Sequence, residues 1–426
     1  MQTDGQYRRQ GQVAVTLFHP RWGAICHILP IRIKPSIKTL RLLCGNGRFI
    51  LFLQTVSDRG SCASGGEPIF FSIRLPQFDC GDVNMAPQPA TSTNNAPHSV
   101  LPVPVLLHGR TLEPNRRIPL NLDWVDQVRV NTSAVERRAA TLVARRTVKK
   151  DTQAAWLLRA IACMDLTTLS GDDTADRVRR LCAKARNPLQ KHLVEGLGIE
   201  ELHLTVGAVC VYHAFVETAV KALEGSGIPV AAVSAGFPAG LSPLAERVDE
   251  IHRSVEAGAS EIDIVITRAH VFNGDWQALY DEVAAFKEAC GPAHMKAILG
   301  TGDLMTLRNV ARASWVAMMA GADFIKTSTG KESVNATLPV SLVMVRCIRD
   351  YAERTGMAVG FKPAGGIRTA KQSLDWLAMM KDELGRPWLE PSLFRFGASG
   401  MLGDIERQLE HYLTGHYSAT YRHPIA

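Results

Sequence analysis

Ala322-Asp-Phe-Ile-Lys-Thr-Ser-Thr-Gly-Lys331 sets a lysine in the middle of what otherwise reads as a buried strand. A second such case, Val359-Gly-Phe-Lys-Pro-Ala-Gly-Gly366, follows about one structural unit later. Lysine is almost never fully buried unless it is paired. Burial lowers its pKa, and the neutral amine is a nucleophile toward carbonyls. Two interior lysines on neighbouring strands therefore point to Schiff-base chemistry.

Around these two stretches the chain repeats one unit: a short β-rich run, a loop, an amphipathic segment and a glycine. The β-type runs are Ile161–Thr168, Leu204–Tyr212, Pro229–Phe237, Glu261–Thr267, Met295–Gly300, Asp323–Ser328, Ala358–Lys362 and Phe394–Ala398. Between them, apolar residues recur at helical spacing. Leu244, Val248, Ile251 and Val255 precede Gly258; Leu279, Val283 and Phe286 precede Gly291; Leu342, Val345 and Ile348 precede Gly356. Glycine past a helical run is the usual C-terminal stop. Eight β/α units in about 250 residues fit an α/β TIM (β/α)8 barrel. A doubly wound open sheet is the alternative, but the Gly-x-Gly-x-x-Gly expected after its first strand is missing.

The chain has 426 residues, with 46% apolar and 21% charged side chains, as expected of a globular protein. No run approaches the ~18 apolar residues of a membrane span. The net charge of +7 is uneven: residues 1–110 hold 11 Lys and Arg against 5 Asp and Glu, and the rest holds 37 against 36. The basic balance belongs to the N-terminal region and gives the main domain no nucleic-acid face. Residues 1–110 lack sustained periodicity and close on the Pro/Asn/Ser/Thr-rich stretch 84–97, which reads as a disordered linker. The first ~50 residues are Arg-containing and acid-poor, as in a mitochondrial transit peptide, but show no clean amphipathic helix. The expected organisation is thus a low-complexity, mostly disordered basic N-terminal extension over 1–114 and a leading helical segment over 115–150, with a helix from Asp126 to about Arg145. A barrel over 151–415 and a tail over 416–426 follow. Nine cysteines, with no C-x-x-C and no zinc-type spacing, suggest free thiols in a reducing, cytoplasmic compartment.

Barrel active sites lie at the C-terminal ends of the strands. Alternation along a strand turns Ile325 and Phe361 toward the helices and Lys326 and Lys362 toward the interior. At ~6 Å in an effective dielectric near 20, their ammonium groups repel by on the order of 3 kcal/mol, which lowers a lysine pKa. The competing reading is a structural ion network in which these lysines pair with Asp263 or Asp165. Those carboxylates could instead orient substrate hydroxyls and move protons. Ala364-Gly-Gly-Ile367 and Gly397-Ala-Ser-Gly400 occupy the phosphate position of the fold, where glycine lets backbone N–H groups approach an anion. Thr329-Gly-Lys331 could add a hydroxyl and a charge. Small residues in these loops also serve packing, but three such loops together favour a phosphorylated small-molecule substrate. Cys210 has no evident base and reads as pocket lining. His203, His213 and His270 have no ligand spacing, so no metal site is expected.

Six blocks in order carry a family resemblance over about residues 155–415. They are Met164-Asp-Leu-Thr-Thr-Leu169, Ala208-Val-Cys-Val-Tyr212, Glu261-Ile-Asp-Ile-Val265, Asp323–Lys331, Gly360-Phe-Lys-Pro-Ala-Gly-Gly-Ile-Arg368 and Arg395-Phe-Gly-Ala-Ser399. In these the chain resembles the deoxyribose-phosphate aldolase family of class I aldolases. Leu169-Ser-Gly-Asp-Asp-Thr174 and Ala235-Gly-Phe-Pro-Ala-Gly240 look like its eukaryotic-type branch. The resemblance implies a TIM barrel that needs no dissociable cofactor and cleaves 2-deoxy-D-ribose 5-phosphate to D-glyceraldehyde 3-phosphate and acetaldehyde in deoxynucleoside breakdown. It implies that Lys326 forms the Schiff base, Lys362 perturbs its pKa and Asp263 serves in proton transfer. Asp165, Thr167, Cys210 and Lys296 would line or organise the pocket, and Thr329, Gly330, Lys331, Gly365, Gly366, Gly397 and Ser399 would hold the phosphate. Gly400 stands where many members have a second serine, and His213 where many have proline. Tyr421 is followed by five residues, whereas many members end on a tyrosine. Rival readings are another class I phosphosugar aldolase or a transaldolase, and a non-catalytic phosphate-binding barrel acting as an interaction protein. The oligomeric state is left open.

Overall fold

The computed structural model describes residues 105–107, 109–145 and 148–424, together with the backbone of short strands between residues 12 and 55. The chain divides into two units, Met1–Ser92 and Thr93–Ala426. In the first, strands Ile37–Gly45 and Arg48–Thr55 pair antiparallel with Gly45 opposite Arg48. The two residues between them are Asn46-Gly47, the dipeptide favoured in two-residue hairpins. This pairing is a departure from the patternless reading of residues 1–110. The disorder expected elsewhere in 1–104 lies outside the described residues.

The second unit is built on a parallel sheet of seven strands: β1 (Asp165–Thr167), β2 (Ala208–Tyr212), β3 (Val230–Val233), β4 (Glu261–Val265), β5 (His294–Ile298), β6 (Phe324–Lys326) and β7 (Gly360–Lys362). Neighbours in the sheet follow chain order from β1 to β7. The eighth position is thinner than the sequence implies. The segment around Phe394–Gly397 makes single parallel bridges, Phe361 to Phe394 and Ala364 to Gly397 on one side and Met164 to Phe396 on the other. The Arg395 N–H donates to the Phe361 carbonyl and the Asp165 N–H to the Phe396 carbonyl, so the sheet closes on itself. The β-branched and small residues of these strands are buried on both faces, as a barrel wall covered by helices requires.

The helices around the wall start on a recurrent device. Thr174, Thr306, Thr337 and Thr369 each stand at an N-cap, and each side-chain oxygen accepts the N–H three residues on. Such caps contribute about 1 kcal/mol each and fix where the chain turns from loop to helix.

Two differences from the sequence reading have local causes. The single leading helix expected from Asp126 to about Arg145 is two helices, Leu122–Asp126 and Thr132–Arg145. The Asn131 side chain accepts from Ala134 N at 3.0 Å and so caps a new helix instead of continuing the old one. Residues 105–114, expected to close the extension, form a hairpin of strands Val105–Leu107 and Arg110–Pro114. Its second strand runs parallel to Met357–Ala358, and Val105, Leu107 and Leu112 are buried. The Asn115 side-chain amide then donates to the carbonyls of Met318 and Ala322, which ties this entry segment to the barrel just before β6.

Gly360 opens β7 for a steric reason. A Cβ there would come within 2.4 Å of the Phe324 ring, which fills the barrel below Lys326. The Gly360→Ala substitution is expected to cost about 1–3 kcal/mol through overpacking. Urea unfolding followed by far-UV dichroism checks it; an unchanged midpoint contradicts this packing.

Candidate active site

Strand register sets the charged residues in two pairs, the second two residues further along the strands, with Lys326 opposite Ile298. Asp263 on β4 stands opposite Lys296 on β5, and Lys326 on β6 stands opposite Lys362 on β7. Period-two alternation then turns all four inward, where the barrel is too narrow for water to solvate them separately. The side chains form one connected network. Asp263 Oδ2 accepts from Lys326 Nζ and from Lys362 Nζ, both at 2.8 Å, and Oδ1 accepts from Lys296 Nζ at 3.0 Å. Lys362 Nζ also lies 2.5 Å from Asp165 Oδ2, and Lys296 Nζ donates to Glu261 Oε2 at 2.6 Å. Arg395 closes the ring, donating to Asp165 Oδ1 at 2.7 Å and to Glu261 Oε1 at 2.8 Å. Every member is buried; the most accessible, Arg395, is 5% exposed.

Counting charges decides which member gives way. The network holds four cations (Lys296, Lys326, Lys362 and Arg395) and three carboxylates (Asp165, Glu261 and Asp263). An unmatched buried charge is expensive, and the group that can shed it does so. Arg395 cannot deprotonate. Lys296 and Lys362 each contact two carboxylates, and Lys326 contacts one. Burial, helped by the neighbouring Lys362 ammonium and opposed by Asp263, lowers the Lys326 pKa below the ordinary lysine value. Burial works in the same sense on Lys362 and Lys296, but their paired carboxylates outweigh it, and both are raised. Burial opposes the charge of Asp263 too, yet the three ammonium groups, Lys296 foremost, hold its carboxyl well below the usual range. Burial and the Lys362 ammonium thus act on Lys326 in the same direction, burial the more strongly.

Above Lys326 lies a cavity of about 290 Å³, lined by Thr167–Ser170, Lys326, Thr329–Lys331, Ala364, Gly365 and Gly397. Of the three network lysines, Lys326 alone reaches it. Thr167, Thr329, Gly330, Lys331, Gly365 and Gly397, all expected at the site, are among the lining residues. Asp165, Cys210 and Lys296 are buried and do not line the cavity; Lys296 contacts Glu261 and Asp263 instead. Burial raises the Cys210 thiol, which stays protonated among Ala231, Val233, Tyr212 and Phe237.

Several supposed phosphate donors already have partners. The Ser399 hydroxyl accepts from Thr167 N at 2.6 Å and donates to the Thr167 carbonyl. The Gly397 N–H donates to the Pro363 carbonyl, and a Cβ on Gly397 would lie 2.8 Å from Ala364 Cβ and 3.3 Å from Lys362 Cε, so this glycine lets the two segments approach, Ala364 most closely. The N–H groups of Thr329 and Gly330 both donate to the Glu332 carboxylate. Gly366, at φ +83°, is exposed at the rim.

Glu261 and Arg395 are functional residues that the sequence reading left unassigned. Both had a usable signal: Glu261 lies two residues before Asp263 and Arg395 two before Gly397, each on the inward-facing parity of its segment. Glu332 carried none, because its role depends on the fold of a loop.

Residues 159–400 match the DeoC/LacD family aldolase. The chain is 57% identical over 314 residues to the deoxyribose-phosphate aldolase of Homo sapiens, covering 73% of this chain and 99% of that protein. It is 58% identical over 313 residues to that of Mus musculus, covering 73% and 98%. The solved structure of a putative deoxyribose-phosphate aldolase from Toxoplasma gondii ME49 superposes with a TM-score of 0.52 at 22% identity, over 63% of this chain and 99% of that one, a likeness of fold. The chain belongs to the DeoC/LacD aldolase family.

Proposed function

We propose that this chain is a class I aldolase that cleaves 2-deoxy-D-ribose 5-phosphate reversibly into D-glyceraldehyde 3-phosphate and acetaldehyde, with Lys326 as the Schiff-base lysine. The observation that carries the assignment is that Lys326 is both the least paired cation of the network and the one lysine of the three that lines the cavity. The neutral Lys326 amine adds to the aldehyde carbon C1 of the open-chain sugar, and loss of water leaves a positively charged iminium. Removal of the C3 hydroxyl proton breaks the C2–C3 bond. The electron pair flows into the iminium, giving an enamine and releasing D-glyceraldehyde 3-phosphate. Protonation of the enamine at C2 and hydrolysis then release acetaldehyde and regenerate the amine.

Asp263 is the proton acceptor and donor in this scheme, 2.8 Å from Lys326 Nζ and kept ionised by the lysines around it. Lys362 shares the same carboxylate oxygen and stays charged, so it restrains Asp263 and disfavours a second charge on Lys326. Lys331, whose side chain lines the cavity, supports binding of the phosphate. The five described cysteines are free, and no described helix is long and apolar enough to cross a membrane. The free thiols favour a reducing compartment and so a cytoplasmic location.

Borohydride reduction during turnover, followed by peptide mass mapping, should place the reduced adduct on Lys326. An adduct on Lys296 or Lys362, or none while turnover proceeds, contradicts the assignment. The rate of trapping should rise with pH through an apparent pKa below that of an ordinary lysine, because only the free amine attacks. In Lys362→Met the network has three cations for three carboxylates, so Lys326 holds its proton more tightly. The profile of that variant moves to higher pH, and at neutral pH the trapping rate falls by about tenfold or more. A profile that stays in place or moves to lower pH overturns the role given to Lys362.

A further inference from the structure

The loop after β6 has an internal brace that the reaction scheme does not use. Both Glu332 carboxylate oxygens accept from Thr329 N at 3.0 Å, and Oε2 also accepts from Gly330 N at 3.1 Å and Thr329 Oγ1 at 2.8 Å. The Glu332 side chain is 3% exposed and does not line the cavity, whereas Thr329, Gly330 and Lys331 do. The carboxylate therefore sits behind the loop and draws those two N–H groups away from any ligand. Each N–H serves one acceptor well, so they are not free for a phosphate.

Glu332 is in turn anchored across the barrel rim. Its Oε1 lies 3.8 Å from Arg268 Nη2. The Arg268 guanidinium donates to the carbonyl of Ala239 after β3 and contacts Asp303 Oδ2 after β5 at 2.9 Å. One arginine so links the loops that follow β3, β5 and β6 from its own place after β4. On the other side the Asn335 side chain donates to the Glu332 carbonyl and packs against Gly365, where a Cβ would come within 2.7 Å of Asn335 Cγ. Between these supports, Thr329 Oγ1 accepts from Lys331 N at 3.1 Å. That bond fixes the backbone from which the Lys331 side chain enters the cavity lining. Among the described residues no carboxylate pairs with the Lys331 ammonium.

We propose that Glu332, held by Arg268, is a positioning residue: it braces the 329–332 loop from behind so that Lys331 meets the phosphate of the substrate. This rests on the reading that the cavity takes a phosphosugar. It also removes the Thr329 and Gly330 N–H groups from the phosphate site and leaves that task to Lys331.

The test compares Glu332→Ala and Glu332→Gln with the wild-type protein on 2-deoxyribose 5-phosphate and on unphosphorylated 2-deoxyribose. Loss of charge-assisted bonds worth about 1.5–3 kcal/mol should raise KM for the phosphorylated sugar about tenfold or more in Glu332→Ala, with kcat within about twofold. The kcat/KM for 2-deoxyribose stays within about twofold, because that sugar has nothing for Lys331 to hold. Glu332→Gln recovers most of the loss, since its amide oxygen still accepts from the loop. Inorganic phosphate, followed by calorimetry, should bind more weakly to Glu332→Ala by about the same factor. That readout stands whether or not the aldol reaction occurs, so it separates this inference from the proposed activity. An unchanged KM and phosphate affinity overturns the proposal. So does a tighter phosphate site, which would make Glu332 an internal competitor, and so does an equal loss on both sugars, which would mean general damage.

Discussion

Four cations and three carboxylates share the dry interior of one barrel, and everything else at the mouth follows from that imbalance. In water the extra charge would cost little. Inside the barrel it must be matched or removed, and the cheapest removal is the proton on the lysine with the fewest acceptors. That lysine is also the one open to the cavity, so the group the fold can least afford to charge is the group that a carbonyl can reach. The two readings of the sequence, a structural ion network and a nucleophile tuned by its neighbours, are therefore not exclusive. The network ties the strands together and lowers the pKa of Lys326 while raising those of Lys296 and Lys362.

Asp263 links the two roles. It joins three lysines through two oxygens, so its carboxylate is held ionised and fixed in place. A carboxylate fixed against an amine of lowered pKa is suited to moving protons without reorganising at each step. Arg395 and Glu261 do not reach the cavity, but they complete the ring that keeps Lys296 and Asp165 in place. Loss of either would leave a buried charge unmatched, and the effect would travel to Lys326 through three contacts from Glu261 and four from Arg395.

Much of this was readable from the residues, for identifiable reasons. Strands buried on both faces show as short β-rich runs, and alternation along them gives the inward parity of Lys326, Lys362 and Asp263 without coordinates. What was not readable depended on partners distant in sequence or on local caps. The hairpin at 105–114 is ordered by Met357–Ala358 more than 240 residues away, and its own pattern is too short to announce it. The helix break before Thr132 turns on one Asn131 side chain. The glycine loops looked like phosphate sites throughout, but Gly397 also makes room for Ala364 and the Thr329–Gly330 N–H groups serve Glu332. A glycine-rich loop signals close approach of the backbone to something, and only the fold says to what.

The claim that the imbalance is relieved at Lys326 is tested most directly by a pH titration of lysine side chains in the resting protein. Heteronuclear NMR on lysine-labelled material reads each ammonium separately, and Lys326→Met, Lys296→Met and Lys362→Met variants assign the signals. The account predicts that the Lys326 signal changes to that of a neutral amine well below the ordinary lysine range, while Lys296 and Lys362 remain charged throughout. A Lys326 signal that stays ammonium while Lys362 or Lys296 titrates first would contradict it.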